Sequence, residues 1–269
     1  MDKEINRVGN FSSSSIYRLT GIGSRNMTAL ELESHKLKNP KSRAKTIKAK
    51  DTTDSKFDTY VKEKYFERKL GRSLNSETQA RSTAWGHLVE EQAFSKLGLE
   101  FSLVSRKRYA YPDSDLEDYW NGMPDLITPE LVGDIKSPWT MNSFCNLVEA
   151  LDSVEKFKED YPDYYWQLVS NAILTKRNKA LIIVYCPYKS NLDEIRKLAS
   201  DDLDPKFAFI NWADDNELPY LIEGNYYNDI NMLEFDIPKE DKDFLIERVT
   251  RAKNKLIELL RNKKNKIIN

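Results

Sequence analysis

The chain has 269 residues, with 42 Lys or Arg, 43 Asp or Glu and two His, so its formal net charge is -1. A DNA-binding surface usually needs a basic excess, and this balance alone argues against a nucleic-acid partner. No window approaches the roughly 18 apolar residues of a membrane span, and the polar first ten residues do not form a signal peptide.

Two cysteines, Cys145 and Cys186, are too few for a disulfide framework, a four-thiolate zinc site or an iron–sulfur cluster. Any metal must therefore use oxygen ligands or the scarce histidines. The hydrophobic fraction of 40% is enough for a substantial core. We expect a soluble, cytoplasmic globular protein.

The first hundred residues are predicted to be mainly helical. The elements, in chain order, are two short helices within 12–32, broken at Gly21-Ile22-Gly23 with possible N-caps at Ser12 to Ser15; a basic loop over 36–54; a helix over 57–70 that Gly71 ends; and a helix over 76–97 that Gly98 ends. Glycine ends helices well because it adopts the left-handed conformation without strain.

The remainder alternates strands and helices. Strands are predicted over 101–111, 125–128, 131–136, 180–186 and 207–212, and helices over 164–175 and 239–260. This order predicts an α/β fold with a central mixed sheet flanked by helices and a long C-terminal helix. We expect one domain over 1–269, comprising a helical part of about 1–98, a sheet core of about 99–215 and a C-terminal strand and helix of about 216–269.

The near-zero charge hides strong segregation. Residues 36–50 carry seven Lys or Arg and no acid, whereas 113–163 carry thirteen acids against three Lys. Residues 201–243 repeat that acidic ratio, and 248–266 carry eight basic residues against one acid. Such runs can be solvated faces, but basic ends around an acidic middle also suit a protein that binds phosphates peripherally and cations centrally.

The segment 122–136 carries the chemistry. A tight turn at Pro129-Glu130 would bring Asp125 close to Asp134, and the two-residue period of a strand places Lys136 on the same side as Asp134. Hard cations such as Mg²⁺ prefer carboxylate oxygens and keep waters that a phosphate can displace. A lysine there can orient or deprotonate water, or balance phosphate charge. The alternative is a hairpin with solvent-facing Asp and Lys.

Four pieces in order resemble the PD-(D/E)XK nuclease superfamily, and within it the phage λ exonuclease or YqaJ-like viral recombinase group. They are Trp-Gly-x-x-x-Glu at 85–90, Pro-Asp at 124–125, Asp-x-Lys-x-Pro at 134–138 and the helical Gln167. The match covers about residues 80–175. Each piece alone is weak, but the order is fairly specific.

The resemblance implies a restriction-endonuclease-like core and metal-dependent hydrolysis of DNA phosphodiesters. It makes Glu90, Asp125, Asp134 and the main-chain carbonyl of Ile135 ligands of Mg²⁺, with Mn²⁺ as a substitute, and Lys136 the catalytic lysine, which Gln167 helps to position. Glu91 competes with Glu90, because one helical residue turns a side chain by about 100°. The resemblance also implies a homo-oligomeric ring around DNA and a single-strand annealing protein as partner.

Arg7 and Ser14 resemble the group's pocket for a terminal 5′-phosphate, although a serine N-cap explains Ser14 equally well. Two departures stand out: no arginine follows the Asp-x-Lys strand, and Leu126 occupies a position that is usually Gly. The function predicted is a 5′–3′ exonuclease. An endonuclease on the same core, or a non-catalytic DNA-binding module, remains open.

Other residues point to structure. His87 is expected on a helix face, the cysteines as small buried apolar groups, and the aromatic cluster at Tyr161, Tyr164, Tyr165 and Trp166 as core, with base stacking as the alternative.

Overall fold

A computed structural model describes residues 7–49, 51–74, 81–97, 102–103, 107–113 and 115–264, without the side chains of 102, 103 and 262–264. Within these residues no helix is both long enough and apolar enough to cross a membrane.

In the described part of the chain, the strands form one five-stranded sheet and two small sheets. Their bounds are β1 Phe11–Ser12, β2 Ser24–Asn26, β3 Thr46–Lys48, β4 Ser102–Leu103, β5 Tyr109–Ala110, β6 Trp120–Gly122, β7 Leu126–Ile127, β8 Leu131–Lys136, β9 Lys179–Tyr185 and β10 Ile230–Asp236. The large sheet has the order β10-β9-β8-β7-β4, in which only β8 and β9 run parallel. The predicted mixed sheet is confirmed.

The α-helices account for most of the remaining chain. Their bounds are α1 Ala29–Lys38, α2 Ser55–Leu70, α3 Arg81–Ser95, α4 Met141–Ala150, α5 Val154–Asp160, α6 Pro162–Thr175, α7 Leu192–Asp201, α8 Ala208–Trp212 and α9 Lys239–Lys264. Four 3₁₀ segments, Ser13–Leu19, Lys189–Asn191, Pro205–Phe207 and Asp215–Glu217, complete the description.

The large sheet lies between two helical layers because its central strands are apolar on both faces. Along β9, Ala180, Ile182 and Val184 pack with α6, α9 and the N-terminal 3₁₀ helix, whereas the alternate residues Leu181 and Ile183 pack with α3 and α7. The same alternation on β8 sends Ile135 to the α3 layer and Asp134 to the α6 layer.

Helix ends follow the residues that satisfy their free backbone groups. The Asp54 carboxylate accepts from Phe57 N at 2.9 Å and begins α2, and Gly71, with φ of 67°, ends it as predicted. Pro162 stands in the first turn of α6, where its missing N–H costs nothing. The sequence predicted that α3 begins near Ser76 and that Gly98 ends it, and both positions lie outside the described residues.

Three predictions needed correction. Residues 207–212 are helical and not a strand: Asp204 caps the segment, Pro205 begins it, and Phe207 and Ile210 are buried at helical spacing while Trp212 is exposed. The predicted loop over 36–54 contains the end of α1 and strand β3. The predicted strand over 101–111 is reduced to β4 and β5, with residues 104–106 outside the described part.

Several elements had no sequence prediction: β1, β2, β6, α4, α5 and α7. The strand β10 lies in the C-terminal part of about 216–269, for which a strand was predicted without bounds. The strands β8 and β9 and the helices α2, α6 and α9 match their predictions closely.

Candidate active site

The β7–β8 hairpin brings Asp125 and Asp134 together. Asp125 precedes β7, its backbone N–H donates to Gly133 O, and its Oδ2 accepts from Ile135 N at 2.8 Å. Leu126 pairs in register with Gly133, and a Cβ at Gly133 would lie 2.4 Å from Leu126 Cδ1. The unusual Leu126 is therefore accommodated by the glycine opposite it, and the hairpin keeps its shape.

Lys136 lies two residues beyond Asp134 and faces the same side of β8. Its ammonium forms an ion pair with Asp134 Oδ2 and lies 4.9 Å from the ring centroid of Tyr164. Gln167 Nε2, on α6, donates to Asp134 Oδ1 at 2.7 Å. Burial alone would lower the pKa of Lys136, but the negative charges of Asp134 and Asp125 outweigh it and raise the pKa overall.

Glu90 approaches the same place from α3. It lines the cavity next to Asp125 and interacts with that carboxyl, whereas Glu91 is exposed. Burial raises the pKa of Glu90. Burial and then the charge of Glu90 raise the pKa of Asp125 to about 7, and burial and then the charge of Asp125 raise the pKa of Asp134 to about 7. Three acids therefore face one another in a poorly hydrated place.

This donor set fits a hard divalent cation. Asp134 is 1% exposed, and its Oδ2, although ion-paired with Lys136, accepts no hydrogen bond from the described residues. Within the described part of the chain, however, no three acidic, imidazole or thiol groups are gathered tightly enough to hold a metal alone. Mg²⁺ commonly binds through one or two carboxylates and completes its shell with water and substrate oxygens.

The small sheet β1-β6-β5 builds the other wall of the site. Phe11 of β1 pairs with Trp120 of β6, and Tyr109 of β5 pairs with Gly122. This arrangement places Ser12, Ser13 and Ser14 at the end of β1 beside Gly122. A Cβ at Gly122 would lie 2.0 Å from Ser13 Oγ and 2.4 Å from Asn171 Oδ1, so the close approach requires glycine.

Serine hydroxyls and two arginines form the polar part of that wall. Ser12 stands at the N-cap position of the 3₁₀ helix without a side-chain cap bond. Ser14 is exposed, with its Oγ 3.3 Å from Ser12 Oγ. Arg108 donates to Asn121 Oδ1 at 3.0 Å, and its pKa is lowered by burial and then by the positive charge of Arg7. Arg7 and Arg108 both line the cavity.

A single cavity of about 450 Å³ contains both walls. Its lining includes every residue that the sequence identified for the site: Arg7, Ser14, Glu90, Asp125, Asp134, Ile135, Lys136 and Gln167. The Ile135 side chain is buried in the α3 layer, which leaves its main chain to face the cavity.

Several further lining residues were not assigned to the site from the sequence, among them Arg108, Tyr164 and Gly86. Gly86 lies one helical turn before Glu90, and this spacing was the available signal. Tyr164 lies three residues before Gln167 on α6, within the aromatic cluster. That cluster divides: Tyr165 and Trp166 are core, as predicted, whereas Tyr164 reaches the cavity and stacks on Tyr161 at 5.8 Å. Arg108 carried no local signal.

The basic C-terminal helix supplies less positive surface than predicted. Arg248 is fully buried, Arg251 pairs with Glu247, and Lys255 pairs with Asp58. Much of the charge on the described part of α9 is therefore neutralised or buried.

Comparison with solved structures shows a shared fold. The chain resembles an alkaline exonuclease from Laribacter hongkongensis with a TM-score of 0.57 and 12% identity, over 97% of this chain and 96% of that one. The same enzyme in complex with dAMP gives a TM-score of 0.56 at 12% identity, over 97% and 96% of the two chains. A phage-related exonuclease from Haemophilus somnus 129PT gives 0.53 at 17% identity, over 94% of this chain and 96% of that one. No family model matches the chain, and no curated protein is significantly similar in sequence.

Proposed function

We propose that the cavity is the active site of a metal-dependent deoxyribonuclease that degrades DNA from a 5′ end. The carrying observation is that one cavity combines an acidic wall with a lysine and a second wall with two guanidinium groups and serine hydroxyls. The first wall suits phosphodiester hydrolysis and the second suits a phosphate. The nearly full-length fold shared with two exonucleases supports this proposal.

Asp125 and Asp134, with Glu90 and the main-chain oxygen of Ile135, would hold Mg²⁺ or Mn²⁺ together with water and phosphate oxygens. The chemistry that such a cation would supply is activation of water and stabilisation of charge on the leaving oxygen. The raised pKa values of Asp125 and Asp134 indicate carboxylates that gain when a cation neutralises their repulsion.

Lys136 is positioned to act on the phosphate that is hydrolysed. The negative charges of Asp134 and Asp125 raise its pKa and favour the ammonium form, which would orient the attacking water and balance charge on the phosphate oxygens. Gln167 fixes the Asp134 carboxylate through Oδ1 and leaves Oδ2 facing Lys136.

The cavity wall that carries Arg7 and Arg108 favours binding of the terminal phosphate of a 5′ end, next to the bond that is hydrolysed. A terminal phosphate is a dianion at neutral pH, and paired guanidinium and hydroxyl donors match its oxygens better than those of an internal phosphodiester. No arginine closely follows β8, and Arg108 would supply the second guanidinium group. Arg7, Arg108 and Ser14 would bind this group.

The proposal is tested on end-labelled linear duplexes with and without a 5′-phosphate, and on covalently closed circular DNA, with Mg²⁺ or EDTA. We expect nucleotide release from linear DNA with Mg²⁺ only, faster with the 5′-phosphate, and intact circles. Cleavage of closed circles would make the protein an endonuclease. No hydrolysis of any DNA by folded protein would contradict the enzymatic function.

A further inference from the structure

Residues 24–49 form a separate segment that projects from the body of the protein, and we call this segment the arm. It consists of β2, α1, the loop after α1, and β3, and the two strands pair antiparallel with each other and with no other described strand. None of the ten residues of α1 is buried, and Leu30 and Leu37 are 79% and 78% exposed. The arm therefore adds little to the core, and its presence calls for another explanation.

Arg248 pins both ends of the arm to the body. Its buried guanidinium donates to Leu19 O at 2.6 Å and Gly21 O at 2.6 Å on the entering chain, and to Thr52 O at 2.8 Å on the leaving chain. The same group lies 4.8 Å from the ring centroid of Phe57 on α2. The two chain segments that join the arm to the body, at residues 19–21 and at Thr52, are fixed by these bonds; we call them the neck. The arm itself projects from the body.

The arm also has internal order. Arg25 donates to both oxygens of Glu31 at 2.7 and 2.8 Å, and Glu31 forms a reciprocal capping box with Thr28. His35 Nε2 lies 2.9 Å from Ser42 Oγ, which ties the loop back to α1. The Glu31 carboxylate is consumed in these bonds and does not neutralise the distal lysines.

Six cations within residues 36–48 of the arm lack an acidic partner in the described part of the chain. All are exposed, and none has a carboxylate partner among the described residues; they are Lys36, Lys38, Lys41, Arg43, Lys45 and Lys48. The contrast with α9 is informative, because Arg251 and Lys255 are paired there. The arm is therefore a positive surface that intramolecular pairing leaves available.

We propose that the arm is a clamp that binds the backbone of duplex DNA behind the end held in the cavity. Unpaired, exposed Lys and Arg are the groups that bind phosphates without regard to sequence. The 3₁₀ helix Ser13–Leu19 leads from the cavity wall to the neck; at roughly 2 Å per residue its length is about 14 Å. That is about four base-pair steps of a duplex at ~3.4 Å each. This inference rests on the proposed function, and it assigns binding of the duplex to a segment outside the cavity.

The test compares two triple variants in which charge is removed without altering buried contacts. The arm variant is Lys41→Gln, Arg43→Gln, Lys45→Gln. The matched control is Lys176→Gln, Lys197→Gln, Arg261→Gln, whose residues are exposed and do not line the cavity. Binding of a fluorescent duplex with a free 5′-phosphate is measured in EDTA, to prevent cleavage, over a series of KCl concentrations.

For the arm variant we expect the slope of log Kd against log salt to fall by about 3, since each phosphate contact contributes roughly 0.9. We also expect binding at low salt to weaken at least ~10-fold, while kcat at saturating DNA stays unchanged. The control should keep the wild-type slope. An unchanged slope in the arm variant overturns the clamp. A shift in sedimentation with an unchanged slope also overturns it, and makes the arm, with its exposed Leu30 and Leu37, a contact between copies of the chain.

Failure of the clamp is distinguishable from failure of the proposed function. If the wild type cleaves DNA but the arm variant keeps its slope, only the clamp is wrong. If the wild type binds duplex through the arm but cleaves nothing with Mg²⁺, only the nuclease activity is wrong. If the wild type neither binds nor cleaves duplex DNA, both are wrong.

Discussion

The acidic wall should destabilise the protein in the absence of metal, and Asp125→Asn should relieve that cost. Asp125 is partly buried, and its pKa is raised from 3.8 to about 7 by burial and then by the charge of Glu90. Because each pKa unit is worth roughly 1.4 kcal/mol, keeping this carboxylate ionised costs up to about 4 kcal/mol. Asparagine keeps an oxygen for Ile135 N and brings an amide that can donate to Asp134 Oδ2. We expect a gain in unfolding free energy of about 2–4 kcal/mol at pH 8.

The gain must depend on pH with a definite sign. The folded pKa lies above the unfolded one, so the cost is absent below about pH 4, grows as pH rises, and is complete above about pH 7. Between pH 5 and pH 8 the advantage of the variant should therefore increase by about 2–3 kcal/mol.

Urea unfolding in EDTA at the two pH values measures this difference. The exposed Asp201→Asn serves as the control and should change stability by less than about 0.5 kcal/mol at either pH. Added Mg²⁺ should stabilise the wild type much more than Asp125→Asn. A variant that is less stable than the wild type at pH 8, or that gains equally at pH 5 and pH 8, would refute the reasoning.

Three further substitutions test individual groups of the cavity. Tyr164→Ala should lower kcat about tenfold because the Lys136 ammonium loses the ring beside it, whereas Tyr164→Phe should keep kcat within about twofold in steady-state digestion; equal rates for both would exclude a role for the ring. Gly86→Leu should lower kcat/KM at least ~10-fold because the new side chain fills part of the cavity. The melting temperature should stay the same or rise, because a Cβ there meets nothing within 4 Å and glycine is about 1 kcal/mol less favourable in a helix interior than a good helix former. Unimpaired digestion by this variant would show that DNA does not enter beside α3. Arg108→Ala should reduce the preference for 5′-phosphorylated over 5′-hydroxyl ends about tenfold in paired time courses, and a retained preference would remove Arg108 from phosphate binding.

The best sequence predictions were those with strong local periodicity. The strand β8 has its predicted bounds, and β9 and α9 lie within a few residues of theirs. The patterns of β8 and α9 follow the strand and helix periods, whereas β9 is a continuous apolar run, which is typical of a central strand buried on both faces. The segment 207–212 was wrong because a short apolar run has no period of its own, and Asp204 and Pro205 decide it in favour of helix.

The acidic half of the site was within reach of the sequence because it is carried by one hairpin and two helices with a characteristic order. Asp125, Asp134 and Lys136 lie within twelve residues, and the hairpin alone brings them together. Arg108 was out of reach, since it joins Arg7 only through the pairing of β5, β6 and β1, which has no signature in the sequence. Net charge was misleading for a similar reason: the arm stays cationic while most basic residues on the described part of α9 are paired or buried.

The most direct test of the proposed nuclease function is to digest a 5′-phosphorylated linear duplex with the wild type and with Lys136→Ala, and to measure duplex binding by both proteins in parallel. Lys136 faces the cavity beside Asp134 and Tyr164, where we propose that its ammonium acts on the reacting phosphate. We predict Mg²⁺-dependent release of nucleotides by the wild type, a loss of about 10²–10⁴-fold in rate for the variant, and nearly equal DNA affinity for both. Equal digestion by folded Lys136→Ala, or no digestion by the wild type with either Mg²⁺ or Mn²⁺, would contradict it.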